Sequence, residues 1–245
     1  MTDADQAAYW EAFFVLHRDL PREGPGEPAD IHWAAEVAGL RPQAQIADVG
    51  CGPGDDIATL LAVAPQGHVT ALDKTAHFVN AARTRWRDED RVTVLKADMA
   101  AIANEYDMIW CAGAVYFLGI DRALKTWRKA VLNRGVVAFS EPCWFVDDPS
   151  PRARAMWEAE GHQVLNADQI TDQIAAAGYE VLGSRRLSDA AWEAYYTPLD
   201  GRIAALRPGA EGALATVLDE AEEEAACWRA HRDEFGYLLS VVRPK

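Results

Sequence analysis

Along the chain, apolar positions first recur at helical spacing, then settle into an alternation of strand-like and helix-like stretches. Trp10, Phe13 and Phe14, with His17, share one helical face and predict a first helix from about Asp5 to Leu20. Pro21 stops it, and residues 21–28 (PREGPGEP) read as a Pro/Gly loop. A second helix is expected from about Ala29 to Leu40, ahead of Pro42. Short β-rich runs then appear at Ile46–Val49, His68–Leu72, Arg91–Leu95, Tyr106–Cys111 and Gly135–Ser140. Amphipathic helices fall between them, such as Thr75–Trp86 with Phe78, Ala82 and Trp86 on one face. Alternation at this spacing implies right-handed crossovers and a parallel sheet with helices on both faces. A doubly wound sheet of this kind takes its ligand at the carboxyl ends of its strands.

Beyond the fifth strand the pattern changes. Residues 141–165 are longer than a turn and carry two Trp and three Pro. Asn166 then opens a helix, with Gln169 as its capping-box partner and Gly178 as its stop. A strand at Tyr179–Leu187, helices at about Ser188–Leu206 and Glu211–His231, and a last strand at Phe235–Arg243 complete the pattern. With no linker between these parts, residues 1–245 are expected to form one domain. Its parts are an N-terminal helical segment (1–40), a ligand-binding core (41–141) and a substrate-side elaboration (142–245).

Composition narrows the function. Half of the residues are hydrophobic, enough for a sizeable core at this length. The formal net charge is −14, a poor match to a phosphate backbone, so no nucleic-acid partner is expected. Arg83, Arg85 and Arg87 around Trp86 read as a solvated helix face. No stretch approaches the roughly 18 apolar residues of a membrane span. The first residues carry acids where a secretory leader carries bases, so a cytoplasmic location is expected. Cys51, Cys111, Cys143 and Cys227 are scattered without metal-ligand spacing, which predicts free thiols and no metal.

The sharpest motif is Ile46-Ala47-Asp48-Val49-Gly50-Cys51-Gly52-Pro53-Gly54, a strand running into a glycine loop ahead of a helix expected from about Asp55. Glycines let a ligand approach the backbone and permit positive φ, and the helix start offers N–H groups to an anionic group. The dinucleotide fingerprint Gly-x-Gly-x-x-Gly needs its third glycine at position 55, where this chain has Asp55. An acid there repels a pyrophosphate but tolerates a ligand carrying a cationic amine and a sulfonium. Asp73, at the end of the second strand, can accept from both ribose hydroxyls; it can also serve as a helix N-terminal acid. Asp98 and Met99, at the end of the third, suit an adenine amino group and ring. Beyond the fourth strand, Ala112-Gly113-Ala114 leaves room for a ligand.

In order, IADVGCGPG, the acid of VTALD, KADM and YDMIWCAGA resemble motifs I to IV of the class I S-adenosylmethionine-dependent methyltransferases. The resemblance implies a Rossmann-like α/β fold with a seven-stranded, mostly parallel sheet and an antiparallel last strand. S-adenosyl-L-methionine is the implied cofactor and S-adenosyl-L-homocysteine the product. Gly50, Gly52 and Gly54 would line the methionine portion, Asp73 the ribose, Asp98 and Met99 the adenine, with Cys111 near the amino group. Cys51 and Lys74 are counted with this set. Asp55 and Asp56 depart from the family, many of whose members have small residues there. More narrowly, LPREGPGEP, IWCAGAVYFLGI, SEPCWF and AWEAYYTPL look like a bacterial, UbiE-like subgroup of small-molecule methyltransferases. That likeness implies that the first 40 residues, with the Arg22 loop, fold over the cofactor as a lid.

Methyl transfer from a sulfonium is an in-line displacement, so it needs a closed pocket, and a base only where the nucleophile starts protonated. The catalytic candidates are Glu141, His162 and Tyr116. Arg22, Tyr116, Phe117, Trp144, Phe145, Tyr195 and Tyr196 are the candidate pocket residues, against a plain reading as core packing. A small-molecule substrate is expected, and a homodimer is compatible with the sequence. The rival reading is a non-catalytic binding or regulatory protein for the same adenosyl ligands.

Overall fold

The computed structural model describes residues 2–159 and 161–245. Strands β1 (Gln45–Val49), β2 (His68–Asp73), β3 (Val92–Lys96), β4 (Tyr106–Cys111) and β5 (Val131–Trp144) are joined by α3 (Ile57–Val63), α4 (Ala76–Arg85) and α5 (Ile120–Trp127). Then follow α6 (Pro151–Ala159), β6 (Leu165–Asn166), α7 (Ala167–Ala176), β7 (Tyr179–Arg186), α8 (Asp189–Leu206), α9 (Gly212–His231) and β8 (Phe235–Pro244). Two helices, α1 (Asp3–Leu16) and α2 (Pro28–Ala38), precede the sheet.

The strands lie in the order β3-β2-β1-β4-β5-β8-β7. β1 pairs in parallel with β2 and β4, and β4 with β5, while β8 runs antiparallel between β5 and β7. The order reverses beside β1, which leaves a crevice at the carboxyl ends of β1 and β4. Both faces are covered, so β1, β2 and β4 read as nearly continuous apolar runs. Ile109, Phe139 and Val242 pack under α5 and α7 on one face; Ile46, Ala138 and Val241 pack under α2 and α3 on the other. A third cluster joins α1, α6, α8 and α9 around Trp192, Trp228 and Phe235.

All seven expected strands are present, together with β6, a two-residue pairing with the end of β5 that is too short to carry a period. The predicted fifth strand is only the middle of β5, which continues through Glu141 and Pro142 to Trp144 because β8 pairs along that extension. The first helix ends at Leu16 rather than Leu20: Pro21 disfavours a helical residue before it, and Asp19 turns the chain at φ 67°. Within 141–165 lies α6, which opens with Pro151 behind Ser150, whose Oγ accepts from Ala153 N–H at 3.5 Å. The capping box of Asn166 and Gln169 forms as expected, each backbone N–H donating to the other's side chain at 2.9 Å.

Candidate functional site

At the end of β1 the chain turns sharply, and Gly50 and Cys51 N–H both donate to Leu72 O, at 2.8 and 3.1 Å. Gly50, Gly52 and Gly54 have φ of 74°, 53° and 83°. A Cβ on Gly50 would stand 2.7 Å from Ala114 Cβ, and one on Gly54 2.9 Å from Ile57 Cδ1. Gly50 and Gly54 are therefore required by the packing of the loop itself. Gly52 instead faces the cleft, with Glu23 Cγ 3.4 Å from where its Cβ would be.

Asp73 serves as the acid at the start of α4 and also ties down the glycine loop. Its Oδ1 accepts from Thr75 N–H at 2.7 Å at the start of α4, and its Oδ2 accepts from Gly52 N–H at 3.2 Å. Beside it, the Lys74 ammonium lies 5.2 Å from the Phe117 ring centre. Asp98 is exposed and accepts from Ala100 N–H at 2.8 Å; Met99 O accepts from Trp127 Nε1–H at 2.7 Å. Cys51 is half-buried and Cys111 fully buried, and burial pushes both thiols up. Next to Cys111, Gly113 N–H donates to Ser140 Oγ at 2.7 Å, tying the β4 loop to β5. Glycines, Asp73, Asp98, Met99 and Cys111 thus converge on the carboxyl ends of β1 to β4.

The segment between α1 and α2 crosses this cleft. Arg22 is buried, its Nε–H donating to Gly24 O at 2.6 Å. Its guanidinium meets Asp55 at 3.4 Å and Asp56 at 3.3 Å. Arg85 reaches Asp55 at 2.9 Å, and Trp110 Nε1–H donates to Asp56 at 2.8 Å. The two acids that depart from the family pattern hold the crossing segment onto the start of α3. Arg22 is therefore engaged within the protein, apart from the cavity described below. Its neighbour Glu23, which the sequence did not single out, leans over the glycine loop and meets His17 Nδ1 at 2.6 Å.

Three buried carboxyl oxygens have no hydrogen-bond partner among the described residues: Glu23 Oε1, Asp48 Oδ2 and Glu141 Oε2. All three acids lie at the carboxyl-end side of the sheet. Burial raises Glu23 above the usual carboxylate range. Burial, and then the negative charges of Asp56 and Asp73, raise Asp48 well above it. Burial alone pushes Glu141 up to about 8.

Tyr116, Glu141 and His162, far apart in sequence, line one cavity of about 240 Å³ between β5, α5 and the segment before β6. The His162 ring meets Tyr116 edge-on at 4.6 Å. Gln163 and Gln173 join this wall, with no periodicity to mark them. The other aromatic candidates lie elsewhere. Tyr195 and Tyr196 are buried in the helical cluster, where Tyr196 OH donates to Glu224 at 2.9 Å, and Trp144 packs edge-on against Phe235. Phe117 is exposed, and Phe145 lies under the Arg186 guanidinium at 3.8 Å. Tyr237, not singled out in the sequence, packs against Gly113, its ring 3.3 Å from where a Cβ would be. Its signal was hidden because β8 reads as an ordinary buried strand.

A family model described as a methyltransferase domain matches residues 46–135, from β1 through the start of β5. Trans-aconitate 2-methyltransferase of Rhodopseudomonas palustris (strain BisB18) is 31% identical over 140 residues, 55% of this chain and 53% of that protein. A 37.1 kDa protein of transposon TN4556 of Streptomyces fradiae is 33% identical over 109 residues, 42% of this chain and 32% of that one. The chain thus spans between a third and about half of the length of these relatives. The crystal structure of a SAM-dependent methyltransferase from Geobacter sulfurreducens, in complex with S-adenosyl-L-homocysteine, superposes with a TM-score of 0.80. It is 18% identical, with 96% of this chain and 98% of that one covered. Residues 46–135 thus match a methyltransferase domain, and the chain as a whole shares the fold of a solved SAM-dependent methyltransferase.

Proposed function

We propose that the protein transfers a methyl group from S-adenosylmethionine to a small-molecule acceptor. The observation that carries this reading is the charge of the cleft. Around the glycine loop stand Asp48 and Glu23, each with an unpartnered oxygen, and Asp73. A dinucleotide pyrophosphate would be repelled there, whereas a ligand with an α-ammonium and a sulfonium relieves the crowding of acids. The residues present fit such a group. Gly52 leaves the loop backbone open to it, Asp73 retains acceptor capacity for the ribose, and Asp98 and Met99 edge the adenine side. Asp48 and Glu23 offer acceptors to the cationic portion. When bound, the cofactor supplies an electrophilic methyl group on sulfur.

What the chain adds is positioning and exclusion of water. The segment held by Arg22 covers the cleft as a lid. Tyr116, Glu141 and His162 present the acceptor, and Glu141 takes a proton where the nucleophile carries one. The test is transfer of label from methyl-labelled S-adenosylmethionine into a fractionated pool of small metabolites. Labelled product that disappears with Asp73→Ala supports the reading. Tight adenosyl binding with no transfer to any fraction supports the non-catalytic alternative instead.

A further inference from the structure

Glu141 is only 7% exposed, yet its Oε2 has no partner among the described residues, and the side chain stands on the wall of a cavity. An isolated buried carboxylate is costly unless a ligand brings charge and donors to it. The chemistry of the wall narrows the ligand. Among the described residues that line the cavity none is Lys or Arg, so an anionic acceptor finds no permanent counter-charge. Acceptor atoms stand on the wall: the Glu141 carboxyl oxygens and the amide oxygens of Gln163 and Gln173. A hydroxyl group donates one hydrogen bond and needs one such atom, whereas an ammonium donates two or three. The aromatic ring of Tyr116 also suits a cation. The net charge of −14 draws cations toward the protein as a whole.

We propose that the acceptor of this site is a primary or secondary amine, held as its ammonium and deprotonated by Glu141. The inference rests on the methyltransferase reading above. A proton passes from nitrogen to Glu141 Oε2, leaving a neutral amine with a free electron pair. That pair forms the new N–C bond as the C–S bond breaks, and the C–S electrons stay on sulfur, which becomes a neutral thioether. The product leaves as the methylated ammonium, and Glu141 returns its proton to solvent. Without a ligand Glu141 holds a proton, since burial pushes it up to about 8; the entering ammonium favours the ionised carboxylate, so that proton leaves to solvent before Glu141 takes the one from nitrogen.

The test is calorimetric titration of the full chain saturated with S-adenosylhomocysteine, using two matched sets of probes. These are 2-phenylethylamine, 2-phenylethanol and phenylacetate, and butylamine, butanol and butyrate. Within at least one set the amine should bind about tenfold more tightly than the alcohol, and the carboxylate more weakly still, as one charge-assisted hydrogen bond requires. Glu141→Gln should bring amine and alcohol to within about threefold of each other while leaving S-adenosylhomocysteine affinity unchanged. The proposal is overturned if no amine outbinds its alcohol, including the case in which no probe binds, or if the preference survives in Glu141→Gln. Failure of S-adenosylhomocysteine itself to bind would overturn the methyltransferase reading, and so separates the two claims.

Discussion

The two ends of the crevice are built by different means. On the β1–β4 side, polar groups are tied to partners close in sequence or on the adjacent strand: Asp73 to Thr75 and Gly52, Asp98 to Ala100, the Gly50 loop to Leu72. On the β5–β8 side the contacts are long-range, as with Tyr116 against His162 or Tyr237 over Gly113. The first arrangement fixes a backbone cradle that many side chains elsewhere would leave unchanged. The second places side chains around a cavity, so substitutions there alter what is held rather than whether the cradle forms. On the proposed function, cofactor recognition and acceptor choice are therefore separable, and substitutions should pull them apart.

The largest effect is expected at Asp73. Asp73→Ala removes a carboxylate that accepts from Gly52 and that the proposed function assigns to the ribose, and should weaken S-adenosylmethionine binding about a hundredfold. Calorimetry of wild type and variant checks this; a change below threefold would place the ribose elsewhere. Gly50→Ala adds a methyl group 2.7 Å from Ala114 Cβ at a φ of 74°, and should destabilise the fold by about 2 kcal/mol. Its thermal midpoint should fall accordingly, whereas Gly201→Ala, which meets no atom within 4 Å in the middle of α8, should hold or raise it.

On the other side of the comparison, Glu141 makes stability depend on pH. Its folded carboxyl, pushed up to about 8 by burial, holds a proton that the unfolded chain gives up near 4.5. The folded state binds more protons across that window, so this contribution is full below about 4.5 and is lost as pH rises through about 8. The loss is on the order of a few kcal/mol. The groups packed around it, Tyr116, His162, Tyr237, Cys111 and Cys143, include no permanent cation. Thermal melts from pH 5 to 8 should fall more steeply for wild type than for Glu141→Gln, and equal slopes would contradict the assignment. The smallest effect is expected at the lid. Arg22 reaches Asp55 and Asp56 at 3.3–3.4 Å, long for charge-assisted hydrogen bonds, so Arg22→Ala should cost cofactor affinity only a few-fold. A loss comparable to that of Asp73→Ala would mean that Arg22 touches the ligand.

The same contrast explains what could be read from the sequence. The strands, the glycine turn and the Asp73 position follow from periodicity and short spacings, because the contacts behind them span few residues or repeat along adjacent strands. Ser150-Pro151, a cap-and-start pair, signals α6 locally and was legible in principle. Glu141, His162 and Tyr116 carried no pattern that joined them, since only β5, the α5 approach and the segment before β6 bring them together. Tyr195 and Tyr196 had a pocket-like composition but sit in the helical cluster, because an aromatic run on a helix packs as readily against neighbouring helices. Glu23 is hidden by its loop, whose path over Gly52 depends on Arg22 finding two acids more than 30 residues away.

The central claim is that an acid-lined glycine cleft takes a cationic adenosyl ligand and refuses a pyrophosphate. Calorimetric titration of the purified protein with S-adenosylmethionine, S-adenosylhomocysteine and NAD tests it directly. The account predicts binding of both adenosyl compounds at micromolar concentrations, near −8 kcal/mol as an order of magnitude, and none of NAD. Binding of NAD, or of neither adenosyl compound, would contradict it.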